Sequence, residues 1–190
     1  MALQTQHTRL IDLLATRSAR RGQFTLASGK QSTLYIDARL TTMSPEGLIL
    51  IGDLGLHTIR SLWNVDSIGG LTLGADPISY AVSYASALAA GEPLRAFTVR
   101  KEPKKYGTGK LIEGPFRSGD RVVVVEDVIT TGSSALQAIA AVQTAGGIVK
   151  GVLALVDRDE GGRQAIEEKG FQVIALVTAE ELLPLIPSTR

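Results

Sequence analysis

Short unbroken apolar runs alternate along the chain with stretches whose apolar residues recur at helical spacing. Leu10, Ile11, Leu13 and Leu14 can line one face of a helix, so residues 3–19 are expected to form an amphipathic helix packed on the body. Gly22 ends that pattern, and residues 24–28 and 33–38 then read as two short strands joined by a turn at Ser28, Gly29 and Lys30, a small hairpin-like lid. Ser44 followed by Pro45 supplies an N-cap and a proline at the first helical position, opening a helix to about Ser61. Strands are expected at residues 66–70, 95–100, 122–125, 148–156 and 171–178, with helices at 78–90, 135–145, 164–169 and 179–183. Thr178 and Glu181 have the spacing of a capping box for the last helix. This alternation, without repeat or linker, predicts a single α/β domain over residues 1–190 with a mainly parallel central sheet flanked by helices, the first 40 or so residues forming the lid.

The most informative stretch surrounds the four consecutive valines at 122–125, bounded before by Ser118, Gly119 and Asp120 and after by Glu126 and Asp127. Such a run suits a strand buried on both faces. In an open α/β sheet the ligand crevice lies beyond the carboxyl ends of the strands, so both carboxylates would be delivered to it, where they can accept hydrogen bonds from ribose hydroxyls or stabilise positive charge. Thr130, Thr131, Gly132, Ser133 and Ser134 follow, small enough for backbone N–H groups to approach an anion, and the next helix aims its positive end at the same point. A phosphate cup beside an acidic pair suits a phosphorylated sugar. The same residues also suit a buried strand and an ordinary helix N-cap made by Ser133 or Thr131.

Other segments carry chemistry less specifically. The glycine-rich turn at residues 70–77 is either an anion site built from backbone or a plain strand-to-helix turn. Residues 101–110 hold a proline, two glycines and four lysines without helical or strand period, which reads as a mobile, solvated loop. Arg158, at a strand's carboxyl end, can grip a planar anion through a fork of donors or form a surface ion pair. Phe24 and Tyr35 offer either core packing or stacking surface.

At 190 residues and net charge +1, the chain is long enough for one well-buried domain and gives no reason to expect a nucleic-acid or membrane surface. It has no cysteine, which removes thiolate chemistry and disulfides. There is no G-x-x-x-x-G-K-[ST], no H-E-x-x-H and no G-x-S-x-G, and the two histidines, His7 and His57, fall in expected helices. With no signal-peptide pattern and no apolar run of roughly 18 residues, a soluble cytoplasmic protein is expected.

The string from Val122 to Ser134 resembles the 5-phosphoribosyl 1-pyrophosphate (PRPP) signature of the type I phosphoribosyltransferases. F-T-L-A-S-G-K with S-x-x-Y-I-D, the loop R-K-E-x-K-x-Y-G and D-R-x-x-G-G narrow the resemblance to the orotate phosphoribosyltransferases. It spans nearly the whole chain and implies the type I phosphoribosyltransferase fold with an N-terminal hood. The implied reaction joins orotate to PRPP, giving orotidine 5′-monophosphate and pyrophosphate in de novo pyrimidine synthesis.

By match of position, the resemblance implies PRPP binding by Arg100, Lys101, Lys104, Tyr106, Glu126, Asp127, Val128, Ile129 and residues 130–134. Glu126, Asp127, Lys101 and Lys104 would serve the reaction directly, and Thr130, Arg158 and Lys30 would contact orotate. It further implies Mg²⁺ held mainly through PRPP with no direct protein ligand, and a homodimer whose 100–110 loop is shared between subunits. The chain departs from some members in having Ala27 and Gly74 where they carry lysine, and Tyr106 where many carry histidine. A purine or other phosphoribosyltransferase would share the central motif and differ in the hood and at Arg158. A PRPP-binding regulator would keep the fold and lose catalysis.

Overall fold

The structure, a computed structural model, describes residues 2–25, 31–102 and 110–187. Helix α1 (Leu3–Leu13) continues through a π-helical turn (Leu14–Ser18) into strand β1 (Ala19–Thr25), which pairs antiparallel with β2 (Gln31–Ile36). Gly22 therefore lies inside a strand, at the irregularity between Arg21 and Phe24, and the helix stops earlier than periodicity suggested. The expected turn at 28–30, with Ala27, is outside the described residues.

A short helix α2 (Arg39–Thr42) leads to α3 (Pro45–Leu62), where Ser44 Oγ accepts from Gly47 N at 3.1 Å as its capping position requires. Then come β3 (Ser67–Leu71), α4 (Ala75–Leu88), β4 (Arg95–Val99), the two-residue β5 (Ile112–Glu113) and β6 (Arg121–Ile129). The chain finishes with α5 (Ser133–Thr144), β7 (Ile148–Asp157), α6 (Gly162–Glu167), β8 (Val173–Thr178) and α7 (Ala179–Leu182). Thr178 and Glu181 form the reciprocal capping box of α7. Helix α4 begins before the expected residue 78 because Pro77 falls in its first turn, where a missing N–H costs nothing.

The main sheet has the order β5-β4-β3-β6-β7-β8, parallel except for the antiparallel edge β5. Edge strand β5 was not legible from its two residues. Strand β6 is longer than its valine run: Glu126, Val128 and Ile129 pair with Ala154, Val156 and Asp157, so the carboxylates interrupt the apolar pattern without ending the ladder.

Successive valines of β6 face opposite sides. Val123 and Val125 join Ile51, Ile78 and Leu153 in one cluster, while Val122 and Val124 join Phe97, Ala138 and Ile139 in the other. The first cluster also takes in Leu34 and Ala38, so the hairpin and α2 share the body's core. Asp66 fixes the start of β3 to β6 by accepting from Arg121 N, Nε and Nη2 at 2.8, 2.9 and 2.7 Å. That arginine holds the Asp66 carboxyl down to about 2. Among the described residues, no helix is long and apolar enough to cross a membrane.

The connectivity locates the site. From β3 the chain crosses to β4 on one side, then returns past β3 to place β6 on the other, with Gly70 opposite Val125. Strand order reverses between β3 and β6, the place where doubly wound sheets open a crevice.

Candidate active site

Beyond the carboxyl ends of β3 and β6 lies a cleft of about 520 Å³. It is lined by Glu126, Asp127 and Val128 of β6, by the turn from Leu71 to Gly74, and by Tyr35 to Arg39 at the end of the hood. Lys101 and Ser134 close its ends. Residues from four segments read in the sequence thus meet in one cavity.

The two carboxylates are not equivalent. Asp127 Oδ1 accepts from Val128 N at 2.9 Å. Glu126 Oε2 is buried without a hydrogen-bond partner. Burial, reinforced by the charge of Asp127 and a hydrogen bond with it, pushes the Glu126 carboxyl up to about 9. In the free protein at neutral pH Glu126 therefore keeps its proton, and the pair does not carry the two charges that counting acidic residues suggests.

The loop after β6 forms the cup. Gly132 is the N-cap of α5 in the left-handed conformation, φ 78°, with no side-chain cap and no acidic residue in the first turn. Thr131 Oγ1 donates to Ser133 Oγ at 3.1 Å and accepts from Ser133 N at 3.4 Å, so it engages the first N–H from outside the helix while the N-cap position itself carries no side-chain cap. Apart from that long contact the helix end has no side-chain cap, which suits the approach of an anion. The cup is braced from behind by α6, since a Cβ on Gly132 would lie 2.7 Å from Gly162 O and one on Gly162 would lie 2.5 Å from Thr130 O. Thr130 and Ser134 are half-buried, whereas Ile129 is buried and contributes through its backbone, its carbonyl accepting from Arg158 N at 3.1 Å.

The turn after β3 is held by a network that sequence reasoning missed. Asp76 accepts from Thr72 Oγ1 at 2.7 Å and from Thr98 Oγ1 at 2.8 Å, and Tyr80 Oη lies 3.0 Å from Thr98 Oγ1. The Thr72–Leu73 peptide is cis. Gly74 lies directly on the acidic pair: an added Cβ would meet the Asp127 carboxylate at 2.5 Å.

The hood supplies two further charges, Asp37, which ends the S-x-x-Y-I-D segment, and Arg39, which the sequence did not single out. Arg39 Nε and Nη2 donate to Asp37 Oδ1 and Oδ2 at 2.8 and 3.1 Å. The Phe24 and Tyr35 rings stack at 5.3 Å, tilted by 34°.

Lys101 is exposed at the cleft, its carbonyl accepting from Gln137 Nε2 at 3.2 Å. Arg100 stands at the foot of the loop, its N–H donating to Leu111 O at 2.8 Å and its Nη1 lying 3.7 Å from Glu113 Oε1. Arg158 lies at the junction of β7 and the hood, with a side chain only 4% exposed. Its Nη2 donates to Ser32 Oγ, Leu34 O and Glu160 Oε1 at 2.6, 2.8 and 2.6 Å. Lys30, Lys104 and Tyr106 lie outside the described residues.

A parallel sheet whose switch point carries an acidic pair, an uncapped helix N-terminus and a facing backbone turn, all beneath an antiparallel hood, defines a type I phosphoribosyltransferase. No protein-family model matches the chain. It is 47% identical to the orotate phosphoribosyltransferase of Aquifex aeolicus over 175 residues, 92% of this chain and 94% of that protein. Its fold matches the Mycobacterium tuberculosis orotate phosphoribosyltransferase in complex with Fe(III) dicitrate with a TM-score of 0.82 at 41% identity, over 93% of this chain and 98% of that one. A structure of the same M. tuberculosis protein in complex with PRPP matches with a TM-score of 0.75 at 35% identity, over 94% and 92%. The chain belongs to the orotate phosphoribosyltransferase family.

Proposed function

We propose that this cleft transfers the 5-phosphoribosyl group of PRPP to orotate, releasing pyrophosphate and forming orotidine 5′-monophosphate. The observation that carries the proposal is the meeting of the acidic pair and the open α5 N-terminus in one cleft, with family membership naming the base. Residues 130–134 receive the 5-phosphate through backbone N–H groups and the helix end. Asp127 holds a ribose hydroxyl and favours the positive charge that grows on the sugar as its bond to pyrophosphate breaks. Glu126, with its buried free oxygen, accepts from the neighbouring hydroxyl, and the approach of positive charge draws it toward its ionised form. Lys101 and Arg100 answer the charge of the leaving group at the mouth of the loop. Orotate nitrogen displaces pyrophosphate directly, and exclusion of water prevents hydrolysis of the sugar.

Mg²⁺ fits this donor set. Magnesium usually meets one or two carboxylates and several phosphate oxygens, and the cleft sets Glu126 and Asp127 side by side where PRPP would bring its oxygens. Bound to PRPP beside the Glu126–Asp127 pair, it would neutralise pyrophosphate charge.

The assembly we infer is a homodimer formed through the face of α3 and α4. Ile49, Tyr84 and Leu88 are 64%, 69% and 73% exposed there, an apolar patch of the kind a second copy covers. Tyr80 continues this patch and connects through Thr98 and Asp76 to Thr72 of the cleft's turn, so two side chains link a covered patch to the site. Loop exchange would bring the partner's residues 100–110 to the cleft. The hood's share in the main cluster supports treating the chain as one enzyme domain.

Competition among bases tests the reading. Protein supplied with PRPP and Mg²⁺ should consume orotate and leave uracil, hypoxanthine and adenine untouched. Turnover of hypoxanthine or adenine instead would assign the fold to another base.

A further inference from the structure

Resting on that reading of the cleft, we propose that Arg39 is a pyrophosphate-binding residue and that Asp37 positions it. Among the described residues, five titratable side chains line the cleft: the acids Asp37, Glu126 and Asp127 and the cations Arg39 and Lys101. A ligand with several phosphate charges needs cations on the wall it leaves along. Arg39 shares its cleft with the turn from Leu71 to Gly74, whereas Arg158 is buried at the hood junction and directs Nη2 to Ser32, Leu34 and Glu160.

The guanidinium is set in advance. Asp37 engages Nε and Nη2 in a two-point contact, leaving the remaining edge of the fork free for a second anion. Arg39 feels Asp127 as well as Asp37, which raises its already high pKa further, first through the hydrogen bond from its fork to Asp37. Its position at the start of α2, directly after β2, means that the hood itself carries this cation to the acidic pair. At 51% side-chain exposure the Arg39–Asp37 pair has little value as a stabilising ion pair, so its two-point geometry is better explained by what it presents to the cleft.

Isothermal titration of the full chain tests this with two probes, inorganic pyrophosphate with magnesium and ribose 5-phosphate. Arg39→Gln should weaken pyrophosphate binding about tenfold, some 1.4 kcal/mol, and leave ribose 5-phosphate binding unchanged. Arg39→Lys should fall between, because it keeps the charge and loses the fork. Asp37→Asn should weaken pyrophosphate in the same selective way, with Arg39 still present. Unchanged pyrophosphate affinity in Arg39→Gln, or equal weakening of both probes, overturns the assignment. Wild-type protein that binds neither probe overturns the phosphoribosyl reading itself, a separate outcome. Thermal melts followed by Trp63, the single tryptophan, verify that each variant is folded.

Discussion

Replacing Glu126 with Gln separates what this side chain does for the fold from what it does for the reaction. Its carboxyl stands at about 9 in the folded protein, against 4.5 in an ordinary setting, chiefly because it is buried. Between those two values the unfolded chain releases the proton and the folded chain keeps it, so the folded state binds more protons and stability falls as pH rises. Each unit of pKa difference is worth about 1.36 kcal/mol, so at pH 7.5 the cost to the wild type approaches about 4 kcal/mol as a ceiling. Glutamine keeps the shape and cannot ionise, but its amide meets the same partnerless environment as Oε2, which offsets about 1 kcal/mol or more. The net expectation is a variant about 1–3 kcal/mol more stable than wild type at pH 7.5, with the difference shrinking toward pH 4.5. Urea unfolding of both proteins at half-unit steps from pH 5 to 9 reads this directly, and turnover in parallel should fall as the ribose contact is lost. Parallel pH profiles for the two proteins would refute the reasoning, because the argument lies in the slope.

Two other perturbations act at defined contacts. Gly74→Ala leaves the backbone unstrained but drives its methyl against the Asp127 carboxylate, so turnover should fall about 10- to 100-fold while the melting temperature holds; unchanged kcat/KM would remove the contact from the account. Asp66→Asn breaks the brace to Arg121 and should cost about 1 kcal/mol at neutral pH once partial exposure is discounted, a drop of roughly 2–4 °C in Tm. Because the Asp66 carboxyl is depressed to about 2, that contribution is present above the ordinary 3.8 and disappears as pH falls from there through 2. Melts of the two proteins that stay equally far apart at pH 2 and pH 7 would count against the brace.

The strand, acidic pair and helix start were legible because they are contiguous: four valines, two carboxylates and five small residues encode them in one stretch. The α3 N-cap and the capping box at Thr178 were legible for the same reason, each being a local hydrogen bond between residues three apart. What escaped depends on distance along the chain. Asp76 acquires its role from Thr98, Gly74 from Asp127 and Arg158 from Ser32, and no periodicity links them. Asp37 stood in the sequence only as the last residue of S-x-x-Y-I-D and Arg39 carried no signal, whereas the fold places both in the cleft with the acidic pair. The unequal protonation of Glu126 and Asp127 is likewise a property of burial, which adjacency in sequence does not disclose.

The most direct measurement of the central claim is steady-state turnover of orotate and PRPP with Mg²⁺, following orotidine monophosphate and pyrophosphate together, for wild type and Asp127→Asn side by side with their unfolding curves. The account predicts equal amounts of the two products from wild type, a turnover lower by about 100-fold or more in the variant, and superimposable unfolding. Wild-type turnover preserved in Asp127→Asn would contradict it.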